Sequence, residues 1–328
     1  MRRREFIGFL GSAPAFWPLA THAQRLPKPH RIGYLHGSTE AATRGNVDEF
    51  KAGMRDLGHV EGQDYVLDSR FADGHFERLP SLAKELVALN PDVLLVGTTP
   101  GNLAAKSVTS TVPIVMVGVA DPVGAGLIAN LARPGGNITG VTNVIAELTG
   151  KRLEILKELV PTASKIAIIA NPDDPNMPLQ MRNAEPAARS LHVQLEPIVP
   201  VRGASDLPSA FETAKRAHAD AALRMVDPLV GALRKQTVAL AAEYQLPVIY
   251  PFRESAEVGG LASYGTNSGK QYRQAATFVH KILTGSNPAD LPVQEPTNFE
   301  LVINRKAATA LGLTVPPSLL ATADKVIE

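Results

Sequence analysis

The sequence predicts an α/β protein built from two doubly wound parallel-sheet lobes that are joined by a hinge. Short apolar runs alternate with amphipathic helical segments along residues 31–119, which is the pattern of a parallel sheet covered by helices on both faces. The same alternation starts again near residue 148 and continues through residue 250. Glycine-rich joints at residues 135–140 and 259–265 accompany these two runs. We therefore expect two lobes of similar size.

The first half of the chain supplies the first run of strands and helices. Apolar residues from Val47 to Leu57 have the spacing of one helical face, and Gly58 ends that helix. The apolar runs of this half are bounded by Gly, Pro or Asn residues, as is typical of buried strands. The predicted strands are residues 31–35, 65–71, 93–96 and 114–119, and the predicted helices are residues 46–57, 79–89 and 102–108.

The second half repeats the rhythm of the first. Its predicted strands are residues 165–170, 193–198, 221–226 and 248–250, and its predicted helices are residues 148–159, 181–191, 207–217 and 230–244. A tail then adds a helix at residues 271–283, a strand at residues 299–303 and a short helix at residues 305–311. This tail is long enough to cross between the lobes again.

The joints and the tail divide the chain into lobes. We predict an N-terminal lobe of residues 24–139 plus 265–291 and a C-terminal lobe of residues 140–264 plus 292–328. Such a pair of lobes is typical of a hinged clamp, in which the ligand lies between the carboxyl ends of the two sheets. The residues predicted to form the hinge are Gly135, Gly136, Gly140, Gly259, Gly260 and Gly265.

Residues 1–23 have the architecture of a secretory signal. They combine a charged start at residues 2–4, a short apolar stretch at residues 6–19 and the small residue Ala23. The run RREFI at residues 3–7 also fits the paired-arginine pattern, so the Sec and twin-arginine routes both stay open. The chain has no cysteine, and a lipid anchor needs a thiol. We therefore predict a free periplasmic protein without a lipid anchor.

Composition and missing motifs argue against several classes of function. The formal net charge is +1 and 20% of residues are charged, so the charge pattern indicates neither a nucleic acid nor an anionic membrane as partner. The eight histidines include no pair at ligand spacing, and we predict no metal site. The loop after the first strand, GYLHG at residues 33–37, lacks the G-x-G-x-x-G pattern, and neither a Walker sequence nor a G-x-S-x-G elbow occurs. We predict no cofactor, no catalytic residues and no enzymatic activity.

Several sequence runs resemble a known family. They are TP at 99–100, AAK at 104–106, DPVG at 121–124, LARPGGNITG at 131–140, GGL at 259–261, SYG at 263–265 and FELVIN at 299–304. In these runs the chain resembles the periplasmic substrate-binding proteins of ABC transporters, in the subgroup related to tryptophan- and aromatic-amino-acid-binding lipoproteins. The resemblance implies a type I periplasmic-binding-protein fold with three lobe crossings. The lipoprotein members carry a cysteine at the mature start, and this chain departs from them there.

The function that the resemblance implies is solute binding for import. The exported protein would close its lobes over a small ligand, an amino acid or a related organic molecule, and deliver it as a monomer to an ABC permease in the inner membrane. Two alternatives stay open on the sequence: an extracytoplasmic sensor that presents its ligand to a membrane receptor, and a two-lobed α/β enzyme. The ligand-sensing part of a transcription regulator shares this fold, but the N-terminus carries a signal where a DNA-binding head would stand.

The candidate ligand contacts follow the predicted strands, because ligands bind at the carboxyl ends of strands in such sheets. The candidates are Ser38, Thr39, Thr98, Thr99, Asp121, Asn171, Asp227, Tyr250 and Glu254. Each has a structural alternative. Hydroxyl residues also cap the helix that follows them, and an Asp or Asn before a proline also fixes a turn.

An amino-acid ligand would divide these candidates by charge. Its ammonium group needs a carboxylate and its carboxylate needs hydroxyls or amides, because an unpaired charge in a closed cleft costs several kcal/mol. The ammonium candidates are Asp121, Asp227 and Glu254, and the carboxylate candidates are Ser38, Thr98 and Thr99. An aromatic ligand side chain would need Tyr34, Tyr250, Phe252 or Tyr264 nearby.

Overall fold

The computed structural model describes residues 28–328. The predicted signal at residues 1–23 lies outside this part of the chain. The described residues form two α/β lobes, each with one sheet covered by helices on both faces. The predicted fold class is confirmed.

The N-terminal lobe is built on a five-stranded parallel sheet with the strand order β2-β1-β3-β4-β5. Its strands are β1 (His30–His36), β2 (Tyr65–Phe71), β3 (Val93–Gly97), β4 (Ile114–Val119) and β5 (Ile138–Thr142), and its first helices are α1 (Glu40–Asp56), α2 (Leu79–Ala88) and α3 (Thr99–Val108). Helix α1 begins at Glu40, earlier than predicted, because the Thr39 side chain accepts a hydrogen bond from the backbone N–H of Ala42 and caps it.

The C-terminal lobe is built on a seven-stranded sheet with the order β12-β11-β10-β9-β8-β6-β7. Its consecutive helices are α4 (Thr149–Leu159), α5 (Met177–Leu191), α6 (Leu207–Arg216), α7 (Leu229–Glu243) and α8 (Arg253–Glu257), and its strands up to residue 266 are β6 (Lys165–Ala170), β7 (Gln194–Pro200), β8 (Ala221–Arg224), β9 (Val248–Tyr250) and β10 (Ala262–Thr266).

The last part of the chain returns to both lobes. Helix α9 (Ser268–Leu283) packs against α1 in the N-terminal lobe. Strand β11 (Phe299–Asn304), the short helices α10 (Arg305–Ala310) and α11 (Pro317–Thr322), and strand β12 (Lys325–Ile327) complete the C-terminal lobe. Strand β11 runs antiparallel to β10, whereas the other pairings of this sheet are parallel.

Hydrophobic cores lie on both faces of each sheet, because successive residues of a buried strand point to opposite faces. In β6, Ile166 and Ile168 belong to one cluster of the C-terminal lobe, and Ala167 and Ile169 belong to the other. The N-terminal lobe has the same arrangement: in β1, Leu35 belongs to the cluster on one face of the sheet and Tyr34 belongs to the cluster on the other. Each lobe therefore has its own buried interior.

The chain crosses between the lobes at three places, each a few residues after the predicted boundary. It leaves the N-terminal sheet after Thr142 and enters α4 at Thr149. It returns between β10 and α9, and it crosses again between Gln294, which bridges to Val141, and Phe299. The predicted boundaries at residues 139/140, 264/265 and 291/292 fall inside the preceding lobe.

The glycines predicted as hinge residues lie within the lobes. Gly135 and Gly136 precede β5, Gly259 and Gly260 precede β10, and Gly140 and Gly265 are in those two strands. A Cβ on Gly140 would stand 2.2 Å from the carbonyl oxygen of Met116 on the neighbouring strand β4. The absence of a side chain thus permits close packing of backbone at this position. The predicted hinge glycines therefore do not form the crossings, which lie a few residues further along the chain.

No helix within residues 28–328 is long and apolar enough to span a bilayer. Within the same range, no group of three or more His, Asp or Glu side chains is arranged to hold a metal ion.

The close approach at Gly140 gives a stability prediction. Replacing Gly140→Ala should lower the free energy of unfolding by roughly 2–4 kcal/mol, because the methyl group clashes with Met116 and φ is +133° at this residue. Gly136→Ala is the matched control, since a Cβ there would meet nothing within 4 Å. Urea denaturation of both variants checks the prediction, and equal midpoints would contradict it.

Candidate ligand-binding site

A cleft of about 670 Å³ lies between the two lobes. Residues at or just after the carboxyl ends of β1, β3, β4 and β5 line it on one side, and residues that follow β6, β8 and β9 line it on the other. The first turns of α1, α7 and α9 complete the walls. Its size and its place at the carboxyl ends of parallel strands are typical of a small-molecule site.

The lobes touch each other across this cleft. The Thr99 hydroxyl of the N-terminal lobe hydrogen-bonds the Asn176 amide of the C-terminal lobe, with 3.2 Å between Oγ1 and Nδ2. Gly74 faces Leu229, and a Cβ on this glycine would stand 2.5 Å from the leucine Cδ2. The structure therefore shows the lobes in contact, with backbone of one lobe close to side chains of the other.

Two hydroxyl groups on the N-terminal wall have no hydrogen-bond partner among residues 28–328. They are Ser38 Oγ, on a residue that is 2% exposed, and Thr98 Oγ1. Both residues line the cleft. A buried hydroxyl without a partner is costly, so such atoms are candidates for ligand contact.

Thr98 has an unusual backbone conformation for a β-branched residue, with φ 68° and ψ 154°. Its backbone N–H donates to the Val117 carbonyl at 3.1 Å, and its own carbonyl accepts from the Asn102 side chain at 2.8 Å. These bonds hold Thr98 in a backbone conformation that costs roughly 1–3 kcal/mol. Strain of this kind is concentrated at functional sites, and here it presents the start of α3 to the cleft.

His36 supports the same wall as a neutral ring. Burial lowers its pKa to about 4, so the imidazole is uncharged near neutral pH. Its Nδ1 accepts a hydrogen bond of 2.9 Å from the backbone N–H of Ser38. The ring therefore fixes the loop that carries Ser38 and adds no charge to the cleft.

Asp174 is the principal polar group of the opposite wall. It is 3% exposed and lines the cleft from the loop after β6. Its Oδ1 accepts from the backbone N–H of Asn176 at 2.8 Å, whereas its Oδ2 has no partner within residues 28–328. Burial raises its pKa to about 7, and the nearby charge of Asp227 acts in the same direction. The site thus contains a carboxyl group that forms no ion pair within residues 28–328, although the charge of Arg224 acts on its pKa in the opposite direction.

Asp227 also lines the cleft, but its oxygens are already bonded. The Arg224 guanidinium donates to both of them, at 2.7 Å and 3.1 Å. The backbone N–H groups of Leu229 and Val230 donate to Oδ1 at the start of α7. Both partners of this ion pair have side chains that are 1% exposed. Asp227 is therefore a structural anion of the wall.

Aromatic and charged side chains line the rest of the cleft. Phe252 and Tyr272 contribute rings, and the Tyr272 hydroxyl lies 3.2 Å from that of the buried Tyr34. Glu254 and Arg234 add one acidic and one basic group. The cleft therefore combines an apolar surface with a few convergent polar groups.

The structure brings together five of the nine predicted contact residues. Ser38, Thr98, Thr99, Asp227 and Glu254 line the cleft. The hydroxyl candidates among them belong to the N-terminal wall and the carboxylates belong to the C-terminal wall.

The other four predicted residues lie outside the cleft lining and have structural roles. Thr39 caps α1 through Ala42. Asp121 accepts from the Gly124 backbone N–H at 2.7 Å, and Asn171 accepts from that of Asp173 at 3.0 Å, so both fix turns. Tyr250 is buried in the core of the C-terminal lobe. In this structure the four residues have the structural roles that the sequence left open as alternatives.

Asp174 is not among the residues predicted from the sequence, although it lies three residues after the candidate Asn171. In the loop that contains both residues, the acidic pair Asp173-Asp174 stands between two prolines. Asp173 is exposed and pairs with Arg202, whereas Asp174 is buried. The sequence does not distinguish a buried acidic residue from an exposed neighbour of the same type. The two prolines indicate only that the loop bends at this pair.

The fold and the cleft define a two-lobed solute-binding protein. The chain belongs to the ABC transporter substrate binding protein family, whose model matches residues 31–327. This is a family of solute-binding proteins and not of enzymes, and it associates with ABC transporters. The resemblance stated from the sequence is confirmed.

Three relatives are particularly similar. A tyrosine-binding protein of Clostridioides difficile is 27% identical over 278 residues, which cover 85% of this chain and 78% of that protein. A conserved domain protein from Vibrio cholerae has a TM-score of 0.85 at 29% identity, covering 91% of this chain and 100% of the other. An ABC domain from Streptococcus pneumonia in complex with L-Trp has a TM-score of 0.83 at 26% identity, covering 92% and 100%.

The raised pKa of Asp174 gives a prediction for the ligand-free protein. The ordinary value is 3.8 and the folded value is about 7, so folding takes up a proton between these limits and stability falls as pH rises through them. Asp174→Asn removes this titration. Its stability relative to wild type should rise by up to about 4 kcal/mol between pH ~4 and pH ~7.

Urea denaturation of both proteins across this pH range provides the measurement. Asp173→Asn serves as control, because the exposed neighbour should show no such trend. A stability difference between Asp174→Asn and wild type that does not change with pH would contradict the prediction.

Proposed function

We propose that this protein is the exported solute-binding component of an ABC import system and that it binds an aromatic α-amino acid between its lobes. One observation carries the proposal. Among residues 28–328, a carboxyl oxygen of Asp174 in one wall and the hydroxyls of Ser38 and Thr98 in the other have no hydrogen-bond partner, and all three share the cleft. This is the pair of complementary groups that a zwitterion requires.

Asp174 is the proposed partner of the ligand ammonium group. Its carboxylate is disfavoured in the empty cleft, because burial raises its pKa to about 7. A cation at Oδ2 would favour the charged form and supply the missing hydrogen bond. Asp227 does not compete for this role, since Arg224 and the start of α7 occupy its oxygens.

Ser38 and Thr98 are the proposed partners of the ligand carboxylate. Both hydroxyls can donate to an oxygen anion. Thr98 also precedes α3, a helix of ten residues whose first backbone N–H groups favour a negative charge. Together these donors can replace the water that the carboxylate loses in the cleft.

The apolar part of the cleft supports an aromatic side chain. Phe252 and Tyr272 line it together with Val226, Pro228 and Val230. Relatives of this chain are named for tyrosine or were crystallised with L-Trp, and they support the same class of ligand. Aromatic rings stack favourably against such surfaces.

A ligand held by both walls would favour lobe closure. Ser38 and Thr98 belong to one lobe and Asp174 to the other, so a bound zwitterion makes its full set of contacts only when the lobes meet. The Thr99–Asn176 hydrogen bond and the Gly74–Leu229 contact between the lobes support such an arrangement. We further propose export by the signal at residues 1–23 and delivery, as a monomer, to an inner-membrane permease.

Calorimetric titration with L-phenylalanine, L-tyrosine and L-tryptophan tests the ligand class. The wild type should bind at least one of them, and Asp174→Asn should weaken that binding by about 100-fold or more, because it removes the partner of a buried charge. Asp173→Asn is the matched control and should bind within about twofold of wild type, since its exposed ion pair with Arg202 contributes little.

A second arm uses 3-phenylpropionate, which lacks the ammonium group of phenylalanine. The wild type should discriminate strongly against it, and Asp174→Asn should discriminate much less. Equal binding of phenylalanine by Asp174→Asn and wild type would remove the proposed role of Asp174. Failure of the wild type to bind any amino acid at millimolar concentration would overturn the proposed ligand class.

A further inference from the structure

Two charged groups of the cleft are not used by the proposed contacts. Glu254 lies at the start of α8, and Arg234 lies on α7. Both line the cleft and both are partly buried. Their position relative to Asp174 determines what part of a ligand they can reach.

The sheet places Glu254 at a distance from the amino-acid contacts. Asp174 follows the end of β6 by four residues, and Glu254 follows the end of β9 by four residues. Strand β8 lies between β6 and β9 in the sheet. Two strand spacings separate the strands by about 10 Å. Glu254 can therefore contact the far end of a ligand whose ammonium group is on Asp174.

The other charges in this part of the cleft have partners. Arg253 pairs with Glu257 and Glu300, and Lys270 also pairs with Glu300. Glu49 pairs with Arg273. The charges of these side chains are thus mostly neutralised by ion pairs within the protein.

Glu254 and Arg234 differ from these paired groups. No side chain of another residue in the described range 28–328 hydrogen-bonds the Glu254 carboxyl group, and in the same range Arg234 has no ion pair. Burial raises the pKa of Glu254, and the charge of Arg234 acts in the opposite direction. The carboxylate is therefore an available hydrogen-bond acceptor with a cation nearby.

We propose that Glu254 accepts a hydrogen bond from a phenolic hydroxyl of the ligand, that Arg234 balances the charge, and that the site thereby selects tyrosine over phenylalanine. This specificity proposal rests on the proposed function. Phe252 is two residues before Glu254 in the sequence and lines the cleft together with Tyr272, so a ring can lie between the amino-acid contacts and Glu254. A second ammonium group at the far end is disfavoured, because Arg234 already supplies a positive charge.

Calorimetric titration of wild type and Glu254→Leu with L-tyrosine, L-phenylalanine and L-lysine tests the proposal. The wild type should bind tyrosine roughly 10- to 100-fold more tightly than phenylalanine, since a hydrogen bond to a charged group has this magnitude. In Glu254→Leu this ratio should fall to about one, with phenylalanine binding retained. Glu243→Leu on α7, outside the cleft lining, is the control and should keep the wild-type ratio.

The outcomes separate this proposal from the proposed function. Equal binding of tyrosine and phenylalanine by the wild type would overturn the role of Glu254 and leave amino-acid binding intact. Retention of the tyrosine preference in Glu254→Leu, or tighter binding of lysine than tyrosine, would also overturn it. Absence of binding for all amino acids in the wild type would overturn the proposed function itself, and this specificity proposal with it.

Discussion

The buried ion pair between Arg224 and Asp227 fixes the C-terminal wall of the cleft. Arg224 ends β8, and Asp227 accepts backbone hydrogen bonds from the start of α7, so the pair joins a strand to the helix that faces the other lobe. Removing one partner of a buried pair leaves an uncompensated charge, which typically costs 3–5 kcal/mol. Leu229, which meets Gly74 across the cleft, depends on this connection for its position.

Asp174 and Asp227 are two acids in one wall with different surroundings. Within the described part of the chain, Asp227 has a guanidinium and two backbone N–H groups as partners, whereas Asp174 has one backbone N–H and an oxygen without a partner. Burial therefore raises the pKa of Asp174, and the charge of Asp227 adds to the effect. The charged form of such a carboxyl group is unfavourable without a ligand and favourable beside a cation. Of the two acids, Asp174 is therefore the one that we propose as the partner of the ligand ammonium group.

The sequence predicted the two-lobed fold because strand and helix periodicities are local properties of the chain. It also predicted that ligand contacts follow the strands, and Ser38, Thr98 and Glu254 do line the cleft. It could not separate Asp121, which fixes a turn, from Asp174, because burial and pairing depend on residues distant in sequence. The predicted crossings lie a few residues too early for a related reason. Gly140 permits close packing between strands, and the sequence alone does not distinguish a glycine needed for packing from one needed for a hinge.

A crystal structure of the protein with a bound aromatic amino acid tests the central claim most directly. We expect the ligand ammonium group to lie within hydrogen-bond distance of Asp174 Oδ2 and the ligand carboxylate to contact the hydroxyls of Ser38 and Thr98. A complex in which Asp174 Oδ2 remains without a partner, while the ammonium group binds elsewhere, would contradict the proposed role of Asp174.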